Sequence, residues 1–263
     1  MKKIRSKLID KCPVNETGTI WSMKFHAPDI EAEPGQFVNI EVSNHYLRRP
    51  ISVSEYSEDI LTLLIQRAGR GSEAIISTSI GERLDMLAGL GNKFSLPDVS
   101  VNKKDSNMLH VYLIAGGIGY APLVGLMKKF KIIEDCKVKF FLGFNKLKEV
   151  PLDHISSLIR EGWDIKFICQ EGNGKIRGNV IDLLETEMSE DDTLPDYFYT
   201  CGPVPMMKRI CGFLPSVEGQ ISMETIMGCG FGACMGCSIL TSEGPKRICK
   251  EGPVFKRSQL LWK

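Results

Sequence analysis

Net charge is nearly absent from this 263-residue chain: 33 Lys and Arg stand against 32 Asp and Glu, leaving +1 at neutral pH. A protein that grips nucleic acid or an anionic membrane needs a basic surplus for the phosphates, so neither is expected as a partner. The first residues, Met1-Lys2-Lys3-Ile4-Arg5-Ser6-Lys7, have no apolar run of the export type before Asp10 and Lys11 arrive, which predicts a cytoplasmic protein. Histidine is scarce. His26, His45, His110 and His154 follow no metal-ligand spacing and read as structural or surface residues. Repeats and low-complexity segments are missing, and the acidic run from Glu185 to Asp192 reads as a solvated helix end. Asp, Glu, Lys and Arg are lacking from Met108 to Met127, a length that suggests a membrane span. Gly116-Gly117-Ile118-Gly119 and Pro122 break it, however, into a buried strand, a turn and a helix start.

Cysteine is plentiful, with nine in all. A chain of this length buries enough core to need no disulfide framework, so the thiols point to a reducing compartment. Cys12, Cys136, Cys169 and Cys211 are expected to be packing residues. Four others crowd the end of the chain as Cys229-Gly230-Phe231-Gly232-Ala233-Cys234-Met235-Gly236-Cys237, then Cys249 after 11 residues. That spacing is the ferredoxin-like pattern for a 2Fe-2S cluster, and Gly228, Gly230, Gly232 and Gly236 let backbone N–H groups wrap toward sulfur. Zinc also takes thiolates and is the alternative. Its sites usually pair Cys-x-x-Cys with a second close pair, which is missing here.

The first hundred residues read as short strands. After the Pro34-Gly35 turn, Val38, Ile40 and Val42 alternate with Asn39 and Glu41; Leu61, Leu63 and Ile65 form one side of another strand. Gly81-Glu82 and Gly89-Leu90-Gly91-Asn92 mark later turns. The expectation is a small antiparallel barrel over residues 1–100. From about residue 108, strands (110–115, 138–143, 165–169, 197–201) alternate with helices (121–131, 152–160, 180–188, 205–213), which predicts a parallel sheet with crossover helices over 101–215. The polar stretch Ser100 to Asn107 is the expected linker. Residues 216–263 form a glycine- and cysteine-rich tail with little room for a core of its own.

Several motifs carry chemistry. Arg49-Pro50-Ile51-Ser52 follows a strand, and an Arg fork suits a pyrophosphate with two directed hydrogen bonds. Gly71-Ser72 opens an apolar segment and would turn helix N–H groups toward the same phosphates, although taken in isolation an ordinary surface arginine and an N-cap serine are the favoured reading. Gly116-Gly117-Ile118-Gly119 runs from strand to helix, where glycines allow either close approach to a second pyrophosphate or tight helix–strand packing. Cys201-Gly202-Pro203 ends the last strand of the alternating region, with Cys201 as a small buried hydrophobe in the plainer reading.

Arg49 to Ser52 with Gly71-Ser72, ahead of a nucleotide-binding unit, resembles the ferredoxin-reductase superfamily. That resemblance implies FAD bound by Arg49, Pro50, Ile51 and Ser52, by Ile65, Gln66 and Arg67, and by Gly71 and Ser72. It also implies NAD at Gly116, Gly117 and Gly119, with Cys201, Gly202 and Pro203 near the nicotinamide. Adding the cysteine motif, Gly89-Leu90-Gly91-Asn92 and Cys249-Lys250-Glu251-Gly252-Pro253-Val254-Phe255, the chain resembles the electron-transfer subunits of two-subunit, NAD-linked dihydroorotate dehydrogenases over nearly its whole length. The family implies a cluster on Cys229, Cys234, Cys237 and Cys249, a partner catalytic subunit carrying FMN, and a hetero-oligomer in which electrons pass through cluster and FAD to NAD. A ferredoxin:NADP reductase or sulfide dehydrogenase small subunit shares the layout and is the nearer alternative. Two departures stand out: Gln66 replaces a common aromatic, and the stretch from Arg67 to Gly71 is shortened. After the second α/β strand, Gly143-Phe144-Asn145-Lys146 offers no acid for a ribose hydroxyl, so NAD over NADP is the family's implication alone. The flavin and cluster segments are separate in sequence, so loss of the cluster is expected to leave FAD bound.

Overall fold

The computed structural model describes residues 1–28, 30–97, 108–191 and 194–262. The expected linker, from Ser100 to Asn107, and the 100/101 boundary lie outside the described residues.

Six antiparallel strands close a barrel: β1 (Lys2–Pro13), β2 (Ile20–His26), β3 (Phe37–Ile40), β4 (Arg49–Ser57), β5 (Ile60–Gln66) and β6 (Arg83–Leu90), in the spatial order β1-β2-β5-β4-β3-β6. Closure removes the open edges that would otherwise invite another chain. Alternation decides what fills it: Val38, Ile40, Leu61 and Leu63 are all fully buried in its core. Helix α1 (Arg70–Ser77) caps one end through Ile75 and Ile76. In the β3–β4 register, Asn39 faces Pro50 and Ile40 faces Arg49, so the Arg49–Ser52 segment is held in the barrel wall.

The second sheet has the order β14-β11-β10-β7-β8-β9, with β14 (Val254–Lys256) at its edge. Its parallel strands are β7 (Leu109–Gly116), β8 (Cys136–Phe144), β9 (Asp164–Cys169), β10 (Tyr197–Cys201) and β11 (Glu218–Ser222). Helices α2 (Ala121–Lys129), α3 (Leu152–Arg160), α4 (Val180–Asp191) and α5 (Val204–Phe213) cover both faces, which is why β7 reads as an almost unbroken apolar run. The stretch from 108 to 127 is thus β7, a single 3-10 turn (Gly117–Tyr120) and α2; among the described residues no helix is long and apolar enough to cross a membrane. The chain builds β7, β8 and β9 outward on one side, then returns to lay β10 on the other side of β7. That reversal opens a crevice at the C-terminal ends of β7 and β10.

Helix α2 lies against the barrel so closely that a Cβ on Gly125 would sit 2.2 Å from the carbonyl oxygen of Ser54. Lys128 adds hydrogen bonds of 3.0 and 2.9 Å to the Glu55 carboxylate. The segment leaving the barrel is also bonded to the sheet, since Tyr199 Oη and Gln220 Nε2 both donate to the carbonyl of Ser95 at 2.7 and 2.8 Å.

The tail is woven into both units. β11, the first element of residues 216–263, is the fifth parallel strand; β14 (Val254–Lys256) then pairs antiparallel with it and becomes the sheet edge. Between them lie the cysteine loop and the hairpin of β12 (Ser238–Thr241) and β13 (Gly244–Arg247). Cys237, Ile248, Cys249 and Phe255 join a core shared with Phe37 of the barrel and Phe198 and Ile210 of the sheet unit. Asn92 fastens the tail to the barrel: its N–H donates to Gly252 O at 2.6 Å, its side-chain amide donates to Glu251 O and Val254 O, and its Oδ1 accepts from Val254 N.

Candidate functional site

Two cavities occupy the crevice. The first, of about 840 Å³, lies between the barrel and the sheet unit. Its barrel side is lined by Arg49, Pro50, Ile51, Ser52, Gln66, Gly71 and Ser72, its far side by Ile118 and Ala121, and its floor by Met223, Glu224, Thr225, Met227 and Pro253 of the tail. That volume falls in the range of pockets that enclose small molecules.

Within the Arg48-Arg49 pair the structure separates the two guanidinium groups. Arg48 turns away from the cavity, pairing with Glu41 and, at 2.7 Å, with Asp85. Burial alone would raise the Asp85 carboxyl, but bonds from Arg48 and Lys3 hold it below the usual range. Arg49 lines the cavity and packs on Gly71, whose missing Cβ would lie 2.1 Å from the Arg49 Nε. Glycine at 71 is therefore the space that lets the guanidinium lie across the first turn of α1. Ser72 braces that turn: its Oγ accepts from Ala68 N and Gly69 N at 2.9 and 3.1 Å and donates to Gly69 O. Of the trio Ile65, Gln66 and Arg67, only Gln66 lines the cavity. Ile65 points into the barrel core, because strand residues alternate, and Arg67 pairs with Glu73 at 3.1 Å.

The second cavity, of about 630 Å³, sits over the ends of β7, β8 and β10. Gly116, Gly117, Gly119, Gly202 and Pro203 line one end, with Asn145, Glu149, Gln170 and Asn179 at the other and Arg209 on α5. The glycines divide their work. A Cβ on Gly116 would meet Met206 Sδ at 2.6 Å, and one on Gly119 would meet the Cys201 carbonyl oxygen at 2.4 Å, so these two serve close packing of the loop on the β10–α5 turn. Gly117 has φ +54° and open space around it; it supplies the turn. Cys201 lies fully buried behind this wall, with its thiol donating to Glu224 Oε1 at 3.6 Å. Burial first, and the nearby Glu224 carboxylate second, push that thiol well above its ordinary range, so it stays protonated. Burial also raises Glu224, whose carboxyl is ringed by protein on one side while opening onto the cavities on the other.

Gln66, Ile118 and Glu224 line both cavities and form their shared wall. Ile118, Glu224 and the neighbouring Met223, Thr225 and Met227 were not singled out by the motif reading. One signal was available: between Gln220 and Ser242, Glu224 is the only charged residue. The two sites are thus far apart in sequence and adjoining in space, because the segment leading into the cysteine loop floors the first cavity.

The four tail cysteines come as two pairs. The sulfurs of Cys237 and Cys249 are 3.2 Å apart and buried. Cys229 and Cys234 share one turn, in which the Cys229 sulfur accepts N–H groups from Ala233 at 3.2 Å and Cys234 at 3.4 Å. Burial opposes ionisation of Cys229, but backbone N–H groups, foremost those of Phe231 and Cys234, pull its thiol down to about 6. Gly230 at φ +76° and Gly232 at φ +91° make the loop possible, and a Cβ on Gly232 would lie 2.6 Å from Lys250. Arg247 anchors the loop from outside, donating to the Gly232 carbonyl at 2.6 Å while bound to Glu251. Among the described residues, no three His, Cys, Asp or Glu side chains converge on one metal-ion position, so the four cysteines stand as two pairs and not as one closed ligand set. Two pairs of thiols suit a two-iron cluster held by four cysteines.

Residues 224–261 match the family model described as the iron-sulfur cluster binding domain of dihydroorotate dehydrogenase B. The chain is 36% identical over 253 residues to the electron transfer subunit of dihydroorotate dehydrogenase B (NAD(+)) from Desulforamulus reducens, covering 91% of this chain and 92% of that one. It is 31% identical to the subunit of the same name from Fusobacterium nucleatum, covering 96% and 98%. Among solved structures, it is similar to a chain of the NADH-dependent reduced ferredoxin-NADP oxidoreductase, with a TM-score of 0.79 at 22% identity, covering 98% of this chain and 90% of that one. Phthalate dioxygenase reductase gives a TM-score of 0.63 at 19% identity, covering 86% and 70%. At these identities the solved structures establish the fold: a closed barrel joined to a parallel-sheet unit.

Proposed function

The chain belongs to the family of electron transfer subunits of dihydroorotate dehydrogenase B (NAD(+)), and from that premise we propose that it passes electrons between NAD and an FMN-containing dihydroorotate dehydrogenase subunit. FAD in the first cavity, a 2Fe-2S cluster on Cys229, Cys234, Cys237 and Cys249, and NAD in the second cavity would complete the route. The setting is cytoplasmic pyrimidine biosynthesis, with the two kinds of subunit joined in a heterotetramer. The observation that carries this reading is the wall of Gln66, Ile118 and Glu224 between the cavities, with the cysteine loop leaving directly from the floor of the first.

When bound, FAD would supply two-electron hydride chemistry and the cluster single-electron transfer. The protein's own groups bind and orient. Arg49 directs N–H bonds at the FAD pyrophosphate, Gly71 clears the space in which it lies, and the first turn of α1 adds backbone N–H groups beside Ser72. Ser52, Pro50, Ile51 and Gln66, which line the same cavity, would hold the rest of the FAD. Gly117, Gly202 and Pro203 shape the surface for the nicotinamide half, and Gly116 and Gly119 hold that surface together. Cys201 is held as a neutral thiol donating to Glu224, so it orients this acid and offers no thiolate to react.

Anaerobic purification tests the reading: the protein should be brown, with FAD and with iron and acid-labile sulfide in the ratio of a 2Fe-2S cluster. It should be inert toward dihydroorotate alone and acquire orotate-dependent oxidation of NADH when mixed with the FMN subunit. A colourless zinc protein, or a reconstituted pair without that activity, refutes it.

A further inference from the structure

Asn39 lies on the outer face of the barrel. Its neighbours Val38 and Ile40 are fully buried in the barrel core, so alternation turns Asn39 outward, where a strand residue normally meets water. Yet Asn39 is only 1% exposed. What covers it is the cysteine loop: Nδ2 of Asn39 donates to the carbonyl of Cys229 at 3.1 Å, and the next residue, Gly230, lies so near that a Cβ there would be 2.3 Å from that nitrogen. The Oδ1 of Asn39 has no hydrogen-bond partner among the described residues. For packing alone an apolar side chain would serve better, because a desolvated amide with one atom unpaired is costly. The polarity of this side chain under this loop therefore points to a use.

We infer that Asn39 is a positioning residue for the cluster: it fixes the Cys229 turn to the barrel and aims an N–H dipole into the loop that raises the cluster's reduction potential. The inference rests on the proposed role of Cys229 as a ligand. A reduced cluster carries one more negative charge than an oxidised one, so a donor aimed into its loop stabilises the reduced form. The placement also sets geometry. Asn39 faces Pro50 across the β3–β4 pair, and Arg48 bonds the Asn39 carbonyl at 3.4 Å while paired with Asp85, so the strand pair that lines the first cavity also carries the anchor for the first cysteine.

Redox titration of the anaerobic holoprotein, followed by electron paramagnetic resonance, tests this with Asn39→Leu and Asn39→Asp. Both variants should keep FAD, and both should show a lower midpoint potential and a changed resonance spectrum. The fall should be larger for Asn39→Asp, which turns a donor into an anionic acceptor facing the Cys229 carbonyl without changing its size. Loss of the cluster from both with FAD retained also supports the anchoring role. Wild-type potential and spectrum in both variants, with only stability altered, overturn the inference, and so does loss of FAD together with the cluster. If the unaltered protein itself holds no 2Fe-2S cluster, the functional reading fails instead.

Discussion

Gly71→Ala should cut FAD affinity while leaving the fold intact. Gly71 is helical rather than left-handed and sits in the first turn of α1, so alanine fits the backbone. The cost falls on one neighbour. The added methyl carbon would lie 2.1 Å from Nε, 2.8 Å from Cζ and 3.0 Å from Cδ of Arg49, far inside any contact distance, and the side chain with freedom to move is the arginine. Its guanidinium must leave the cavity wall. A hydrogen bond to a charged group contributes about 1.5–3 kcal/mol, and about 1.4 kcal/mol is a factor of ten; FAD should bind roughly tenfold to a hundredfold more weakly. Fluorescence titration of the apoprotein with FAD measures this, and its thermal unfolding serves as the control. Combining the substitution with Arg49→Ala makes the argument sharper, since a glycine that acts through Arg49 should add nothing once the guanidinium is gone. Native FAD affinity in Gly71→Ala, or simple additivity in the double variant, refutes the reasoning.

Asn92→Ala should destabilise the protein by about 3 kcal/mol, from three side-chain hydrogen bonds at about 1 kcal/mol each, and should loosen residues 251–256. Denaturant unfolding with hydrogen exchange at Val254 checks it, and a loss under about 1 kcal/mol would contradict the role given to Asn92. Glu187 on α4 is 3% exposed and bonds both Lys139 on β8 and Lys166 on β9. Burial pushes its carboxyl up, but the two lysines more than offset that and hold it below its usual 4.5. A folded-state pKa below the unfolded one means stability that is present above about pH 4.5 and lost as the pH falls through the folded value. Glu187→Gln should therefore cost about 3 kcal/mol at neutral pH, the low end for a buried pair because Lys166 is 41% exposed and can turn to water. Unfolding measured from pH 7 to pH 3 should show the gap closing in acid; a constant gap would mean that packing, not charge, sets the effect.

Local pattern made the individual elements legible. Helix α3 coincides with the expected 152–160 because Pro151 and Gly162 bracket an amphipathic turn sequence, and the four expected parallel strands differ from expectation by at most two residues at either end, whereas β11, the fifth, falls in the stretch expected to be a tail without a core. Helix α4 continues to Asp191, past the expected 188. Helix α2 stops earlier, at Lys129, where the chain tightens into a 3-10 turn at Phe130–Ile132. At the site, Gly71, Ser72, Gly116 and Gly117 all line the cavities, whereas residues in strands follow alternation: Gln66 reaches the first cavity while Ile65 is core. The contacts of Glu224, Asn39 and Asn92 are not legible in local pattern. Their partners lie 23, 190 and about 160 residues away, and no short-range period reports such pairs.

The joining of the two sites follows from topology. Parallel strands all end at the same edge of their sheet, which is where the reversal between β7 and β10 opens the crevice. β11 is parallel to β10 and registers Ser222 beside Cys201, so the chain leaving it must emerge at that edge. Met223, Glu224 and Thr225 consequently line the first cavity, and Cys229 follows within a few residues. β14 then returns antiparallel along β11, pinned to Asn92 of the barrel, which holds the cysteine loop on the barrel's flank. A cluster segment appended after any strand that ended at the opposite edge would face away from the crevice. Placing it after β11 makes nearness to the first cavity a consequence of strand direction.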